Sequence, residues 1–333
     1  MSIILLKQYE DGVFMPRTAR IKTETGIYHI MMRSVSDFRL FRNDSDKNKF
    51  LQLLRKYKET FLFKIYSYCI MDTHVHLLVN SNGADVSKFM HNINQCYAQY
   101  YNNKYNRTGH VFGDRFKSTV ATNDLSILCM SAYIHNNPKD MKGYRSCVEN
   151  YKYSSFNIYL GKCEDKYRLI DKSFILNYFH KDPIMATRRY FQFVRSRIDS
   201  KLNNIDDFPY MAEASKLYSN LNSDKSIDTK PIIRNATPNN IIKYVAKYTN
   251  FNISNIDLKF KRTNVEFRAI CVFLMRIFCN YNYSQIRNVF GNISMSSISS
   301  LYNKGYFLIQ DNHHYKDILS DFLNSYSSDI QTS

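Results

Sequence analysis

The chain has 333 residues, with 46 Lys and Arg against 29 Asp and Glu, for a formal net charge of +17 at pH 7. That surplus points to a polyanionic partner, nucleic acid or an acidic membrane surface. Ile3–Leu6 is too short for a signal-peptide core, and the most apolar run, Ala269–Met275, stops at Arg276 far short of a spanning helix, so no membrane contact is expected.

The 7 cysteines are odd in number and include no Cys-x-x-Cys pair, which argues against a zinc ribbon and a disulfide framework and fits a reducing cytoplasm. Residues 1–14 read as a variable extension, followed by the basic arm Met15-Pro16-Arg17-Thr18-Ala19-Arg20. Ile27–Arg33 reads as a strand. Ser45 or Asp46 can cap a helix whose apolar positions Phe50, Leu51, Leu53, Leu54 and Tyr57 share one face. Phe61–Ile70 and His74–Val79 read as strands joined by the tight turn Met71-Asp72-Thr73. A long helix is expected from Asp85 to Tyr105, and a fourth strand from Phe112 to Ala121. A further helix, capped by Asn123 or Asp124, must end near Pro138, because the residue before proline is pushed out of the α region. Strand, helix, two strands, helix, strand is the ferredoxin-like order, an α+β domain with an antiparallel sheet and helices on one face. The expected division is an α+β domain over 15–160, a basic helical extension over 161–200, a polar linker over 201–236, an all-α domain over 237–320 and a tail over 321–333.

His74-Val75-His76 is the most informative motif. Alternation along a strand puts both imidazoles on one face, with Val75, Leu77 and Val79 on the other. Two neutral imidazoles so placed can hold one side of a divalent cation; the plainer alternative is a pair of half-buried histidines. In the helix before Pro138, Tyr133 and Asn137 are four apart and share a face. If that face covers the histidines, one site holds a phenol, two imidazoles and an amide oxygen, with Asn137 as third ligand of a Mg²⁺ or Mn²⁺ ion. Such a set suits phosphoryl transfer to tyrosine, with the metal neutralising phosphate charge. The alternatives are Tyr133 as a packing aromatic and Asn137 as a helix C-cap.

In Met15-Pro16-Arg17, Arg20, Tyr28-His29-Ile30, Arg33, Met71–Leu78, Arg107–Phe112, Arg115–Ser118, Tyr133–Pro138 and Tyr153-Ser154-Ser155 the chain resembles the single-tyrosine HUH transposases of the IS200-like family, specifically the repeat-associated tyrosine transposases. The resemblance spans roughly residues 15–200 and implies an HUH domain. It implies His74 and His76 as metal ligands, Asn137 completing the metal site, and Tyr133 as nucleophile on hairpin-bearing single-stranded DNA. Cleavage in that family leaves a 5′-phosphotyrosine and a free 3′-OH. After Pro138 the chain departs from the family's Val-Arg-Ala-Gly, reading Lys139-Asp140-Met141-Lys142-Gly143, which implies different local DNA contacts. A hairpin-binding protein with vestigial catalysis and a metal nuclease using water are the alternatives. A homodimer, with catalysis within or between subunits, stays open.

Arg17, Arg20, Arg33, Arg107, Arg115 and Lys117 are candidate phosphate contacts, with Tyr105, Phe112 and Phe116 as rings for unpaired bases. Toward the C-terminus, Tyr283–Gly291 followed by Ser294–Ile298 has helix-turn-helix grammar. It looks like the duplex-binding domain of the bacterial replication initiator, with Ile293-Ser294-Met295 where that family has Arg-Asp-His. Arg262, Arg268 and Lys304 are candidate contacts to duplex DNA there, and a cytoplasmic, nucleoid-associated protein is expected.

Overall fold

The computed structural model describes residues 26–199, 232, 234–255, 262–291 and 293–331. Arg17, Arg20, the N-terminal extension and nearly all of the expected linker lie outside them. The first domain is built from β1 (Ile27–Arg33), α1 (Asp44–Phe61), β2 (Lys64–Ile70), β3 (His74–Asn80), α2 (Val86–Lys104), β4 (Lys117–Val120) and α3 (Asp124–Asn136). The four strands form one sheet in the order β2-β3-β1-β4, every neighbouring pair antiparallel, which is the ferredoxin-like arrangement. β4 starts at Lys117 rather than Phe112. Upstream of it only Phe112 bridges to the sheet, at Ser34, and Gly113 and Asp114 are exposed.

Helices on one face alone do not describe this sheet. β2 and β3 are buried along nearly their whole length, because both faces are covered. One face carries Tyr28, Ile30, Met32, Val75, Leu77 and Val79, all at most 5% exposed, and packs under α1 and α2. The rings of Phe41, Phe50 and Tyr97 interlock there, and Phe63 stacks on Phe89 at 4.2 Å. The other face carries the histidines and lies under α3. Short helices α4 (Phe156–Tyr159) and α5 (Lys172–Leu176) follow, then α6 (Pro183–Ser196), whose Ala186, Tyr190 and Val194 join the same core.

The cap of α1 is Asn43, two residues before Ser45 and three before Asp46. Asn43 Oδ1 accepts from Asp46 N while the Asp46 carboxylate accepts from Asn43 N, a reciprocal capping box. Asp46 is 0% exposed and also takes hydrogen bonds from Lys104 Nζ (2.5 Å), Tyr105 Oη (2.7 Å) and Tyr100 Oη (3.1 Å), which ties α1 to the end of α2.

The second domain has its own core, formed by α7 (Pro238–Thr249), α8 (Arg262–Phe278), α9 (Tyr283–Phe290), α10 (Met295–Asp311) and α11 (Ile318–Gln331). The expected tail is therefore mostly α11, with Ile318 and Phe322 at most 2% exposed. α10 crosses α8 closely at Gly305, where a Cβ would overlap Ala269 O. The domains touch through Arg234, which donates to Phe61 O and Ile277 O, and through Lys88 on Asn280 and Tyr306 on Glu59.

Burial alone would raise the Asp46 carboxyl pKa, but hydrogen bonds from Lys104, Tyr105, the Arg42 amide and Tyr100 outweigh it and hold it below its ordinary value. Its contribution is therefore present at neutral pH and is lost as pH falls below the carboxylate range. Asp46→Ala should cost about 2–3 kcal/mol in urea unfolding at pH 7, since it leaves a cap and a lysine unpaired. The difference from wild type should shrink as the pH is taken below about 4.

Candidate active site

Antiparallel pairing of β1 with β3 sets Met31 opposite His76, Arg33 opposite His74 and His29 opposite Leu78. Residues paired across a ladder share a face, so His29, Arg33, His74 and His76 all lie on the α3 side. Lys117, opposite Met31 on the edge strand β4, shares that face and is exposed. α3 then brings Tyr133 over the histidines. Its ring centroid lies 5.7 Å from that of His76 and 5.7 Å from that of His29, nearly perpendicular to both. His74 and His76 sit 5.1 Å apart, also perpendicular. The phenol and the two-histidine strand thus come together within one chain.

His29 is the residue that sequence reasoning passed over. Its Nε2 lies 2.9 Å from His76 Nδ1, and the two rings stack with 5° between their planes. One of these nitrogens must carry the shared proton and the other accept it, so the bond sets the tautomer of both rings. Desolvation holds His29 down to about 4 and, together with the neighbouring His29 and His74, holds His76 well below 6.5, so both are neutral near pH 7. His74 Nδ1 lies 3.0 Å from Thr73 Oγ1 in the β2–β3 turn. Tyr28-His29-Ile30 was visible in the sequence, but its face relative to His76 depends on the β1–β3 register.

Tyr133 is half-buried, and desolvation, with Asp140 nearby, raises its phenol pKa, so the resting side chain is a neutral phenol. Asn137 ends α3 as its C-cap, and its amide nitrogen donates to Tyr133 O (2.9 Å). That bond orients the amide so that the nitrogen faces the helix end and Oδ1 is the remaining donor atom. Among the described residues no cluster of three or more His, Cys, Asp or Glu side chains could hold a metal.

α3 is held in place by a buried polar chain on its far side. Ser67 Oγ on β2 lies 2.6 Å from Ser131 Oγ, Ser131 Oγ lies 2.6 Å from Tyr190 Oη, and Tyr190 Oη lies 2.7 Å from His135 Nδ1. His135 Nε2 meets Ser155 Oγ at 2.8 Å, and that oxygen accepts from Tyr68 N. Ser131 and His135 are one turn apart and Tyr133 lies between them on the opposite side, so this network fixes the rotation of the helix that aims the phenol.

The basic candidates separate by environment. Arg33 and Lys117 border the histidine face, and Arg115 is exposed on the segment before β4. Arg107 is half-buried, its guanidinium lying over the Phe38 ring at 4.4 Å in a cation–π contact. Tyr105 is not an open stacking platform: Arg42 covers its ring at 4.2 Å and its hydroxyl is held by Asp46. Phe116 is 8% exposed, whereas Phe112 is only half-buried. In the helical domain Lys304 is exposed on α10 and Arg268 is half-buried on α8; Arg262 opens α8, and its side chain is outside the described residues. The middle of α10 faces α1, with Tyr306 on Glu59 and Asn303 on Lys56.

The buried His29 and His135, held at about 4 and about 3, stay neutral in the fold where the same imidazoles in an unfolded chain titrate near 6.5. Between pH 6.5 and those values the unfolded chain binds protons that the folded one refuses, so stability falls with acidification. Urea unfolding should show a loss of about 2 kcal/mol per buried histidine between pH 7 and 5. His135→Gln should remove that share of the slope; an unchanged slope would contradict the assignment.

Residues 22–137 match the family described as "Transposase IS200 like". A solved structure described as "Structure of the REP associates tyrosine transposase bound to a REP hairpin" is 16% identical, covers 44% of this chain and 87% of that chain, and aligns with a TM-score of 0.37. No curated protein matches the chain. Among the described residues no helix is long and apolar enough to cross a membrane. The similarity to the IS200-like transposases thus covers the four-stranded sheet and α3, about a third of the chain.

Proposed function

We propose that the chain cleaves and rejoins hairpin-bearing single-stranded DNA through a covalent bond to Tyr133. The observation that carries this reading is the Tyr133 ring set edge-on to His76 at 5.7 Å inside the same chain, which supports catalysis in cis. The phenolic oxygen attacks the scissile phosphorus, the Tyr133 O–P bond forms and the P–O3′ bond breaks. The phenolic proton ends, through solvent, on the departing 3′-oxygen. The reverse attack by a 3′-OH restores the phosphodiester and the phenol, so bond energy is stored rather than lost to hydrolysis.

A divalent cation, Mg²⁺ or Mn²⁺, fits the donor set. His76 is held neutral, its Nδ1 is taken by His29 and that of His74 by Thr73, and Asn137 presents an amide oxygen. His74, His76 and Asn137 would hold it, with phosphate oxygens and water completing an oxygen-rich shell. Bound there, it would neutralise charge on the phosphate and ease departure of the 3′-oxygen. The chain's own part is to keep Tyr133 fixed and partly desolvated, to set the imidazole tautomers through His29, and to meet the flanking phosphates with Arg33 and Lys117. Hairpin selection is what the family resemblance implies, and duplex contact by Lys304, Arg262 and Arg268 belongs to the same reading.

Incubation with Mn²⁺ and 3′-end-labelled hairpin single strands, followed by denaturation, should leave label on the protein. Tyr133→Phe should abolish the adduct and leave DNA binding unchanged, while His76→Ala should lower adduct formation by about 10²-fold or more. Free 5′ ends without an adduct would mean water is the nucleophile; binding without a cut would mean a recognition module. His29→Phe should weaken Mn²⁺ binding in calorimetry by about 10-fold or more, as loss of an orienting partner does. Unaltered Mn²⁺ affinity in that variant would remove His29 from the site.

A further inference from the structure

A groove of about 630 Å³ lies between α2 and the segment 109–116, lined by none of His29, His74 and His76. That is well within the range of ligand clefts, about 300–1,000 Å³. Its apolar part comes from Ala98, Val111, Phe112 and Phe116, and its polar part from Ser87, Lys88, His91, Asn94, Gln95, His110 and Arg115. None of the described lining residues is acidic. Lys88 is already engaged with Asn280, which leaves the exposed His91, His110 and Arg115 as the rim. Asn94 Oδ1 is buried with no hydrogen-bond partner, an acceptor that costs free energy until an N–H reaches it. Phe112 is half-buried, one side resting on Tyr97 with centroids 6.1 Å apart.

We infer that this groove seats one unpaired nucleotide of the bound DNA strand, its base against Phe112 with an N–H edge on Asn94, and its phosphate at Arg115. This rests on the reading of the chain as an enzyme of single-stranded DNA. An aromatic wall, an unsatisfied amide acceptor and a cationic, carboxylate-free rim are together what a splayed-out nucleotide requires. The position suits the same strand. Arg115 and Phe116 line the groove, and the next residue, Lys117, opens the edge strand β4 on the histidine face. A single strand with its scissile phosphate under Tyr133 reaches the groove by crossing that edge. A paired base could not enter, because its N–H edge would be spent on its complement.

The test uses the full chain with Tyr133→Phe, so that binding is read without cleavage, and hairpin oligonucleotides abasic at one flanking position at a time. One position should weaken binding by about 10-fold, the usual scale of a lost base–ring contact. That loss should fall below about twofold when Ala98→Trp fills the groove, and likewise in the exposed-residue variant His91→Ala with Arg115→Ala, which does not disturb the core. A flat abasic profile, or one that both groove variants leave unaltered, would overturn the inference. Adduct formation by the chain with Tyr133 intact reports separately on the chemistry. An adduct with a flat profile removes the groove alone, and a position-specific loss without an adduct removes the chemistry alone.

Discussion

The register between β1 and β3 is the constraint on which the site depends. Setting Met31 against His76 places His29, Arg33, His74 and His76 on one face, and a slip of one residue would send β1's His29 and Arg33 to the α1–α2 core. That register is held by the other face. Tyr28, Ile30 and Met32 of β1 and Val75, Leu77 and Val79 of β3 are all buried there, and a one-residue slip would turn the three residues of β1 away from that core. The hydrophobic core and the polar site are two faces of the same ladder.

The second requirement is a fixed helix above the histidines. α3 is apolar almost all round, so apolar burial alone would define its position poorly in rotation about its own axis. The chain from Ser67 through Ser131, Tyr190 and His135 to Ser155 supplies directional contacts that apolar packing lacks. It anchors the helix at two points one turn apart, on the side away from Tyr133. Every member is buried and paired, and His135 stays neutral, so the network orients the helix that carries Tyr133 without placing a charge in the core.

The helical domain is docked rather than tethered among the described residues. Arg234, largely buried and with its pKa lowered to about 10 by desolvation, bridges Phe61 O to Ile277 O. Tyr306 and Asn303 bring α10 onto α1. This docking takes up the middle of α10.

Much was legible in the sequence. Alternation along His74–Val79 predicted a strand with both imidazoles on one face, the four-residue spacing put Tyr133 and Asn137 together, and the element order gave the ferredoxin-like sheet, because these follow from local periodicity. What was misplaced was local competition: Asn43 capped α1 ahead of Ser45, and Phe112–Phe116 left the sheet to wall a groove. His29 as the partner of His76, α3 on the opposite face from α1 and α2, and Arg42 over Tyr105 came only with the tertiary structure. Each joins residues far apart in the chain, and no periodicity within one segment reports which distant segment it will meet or in which register.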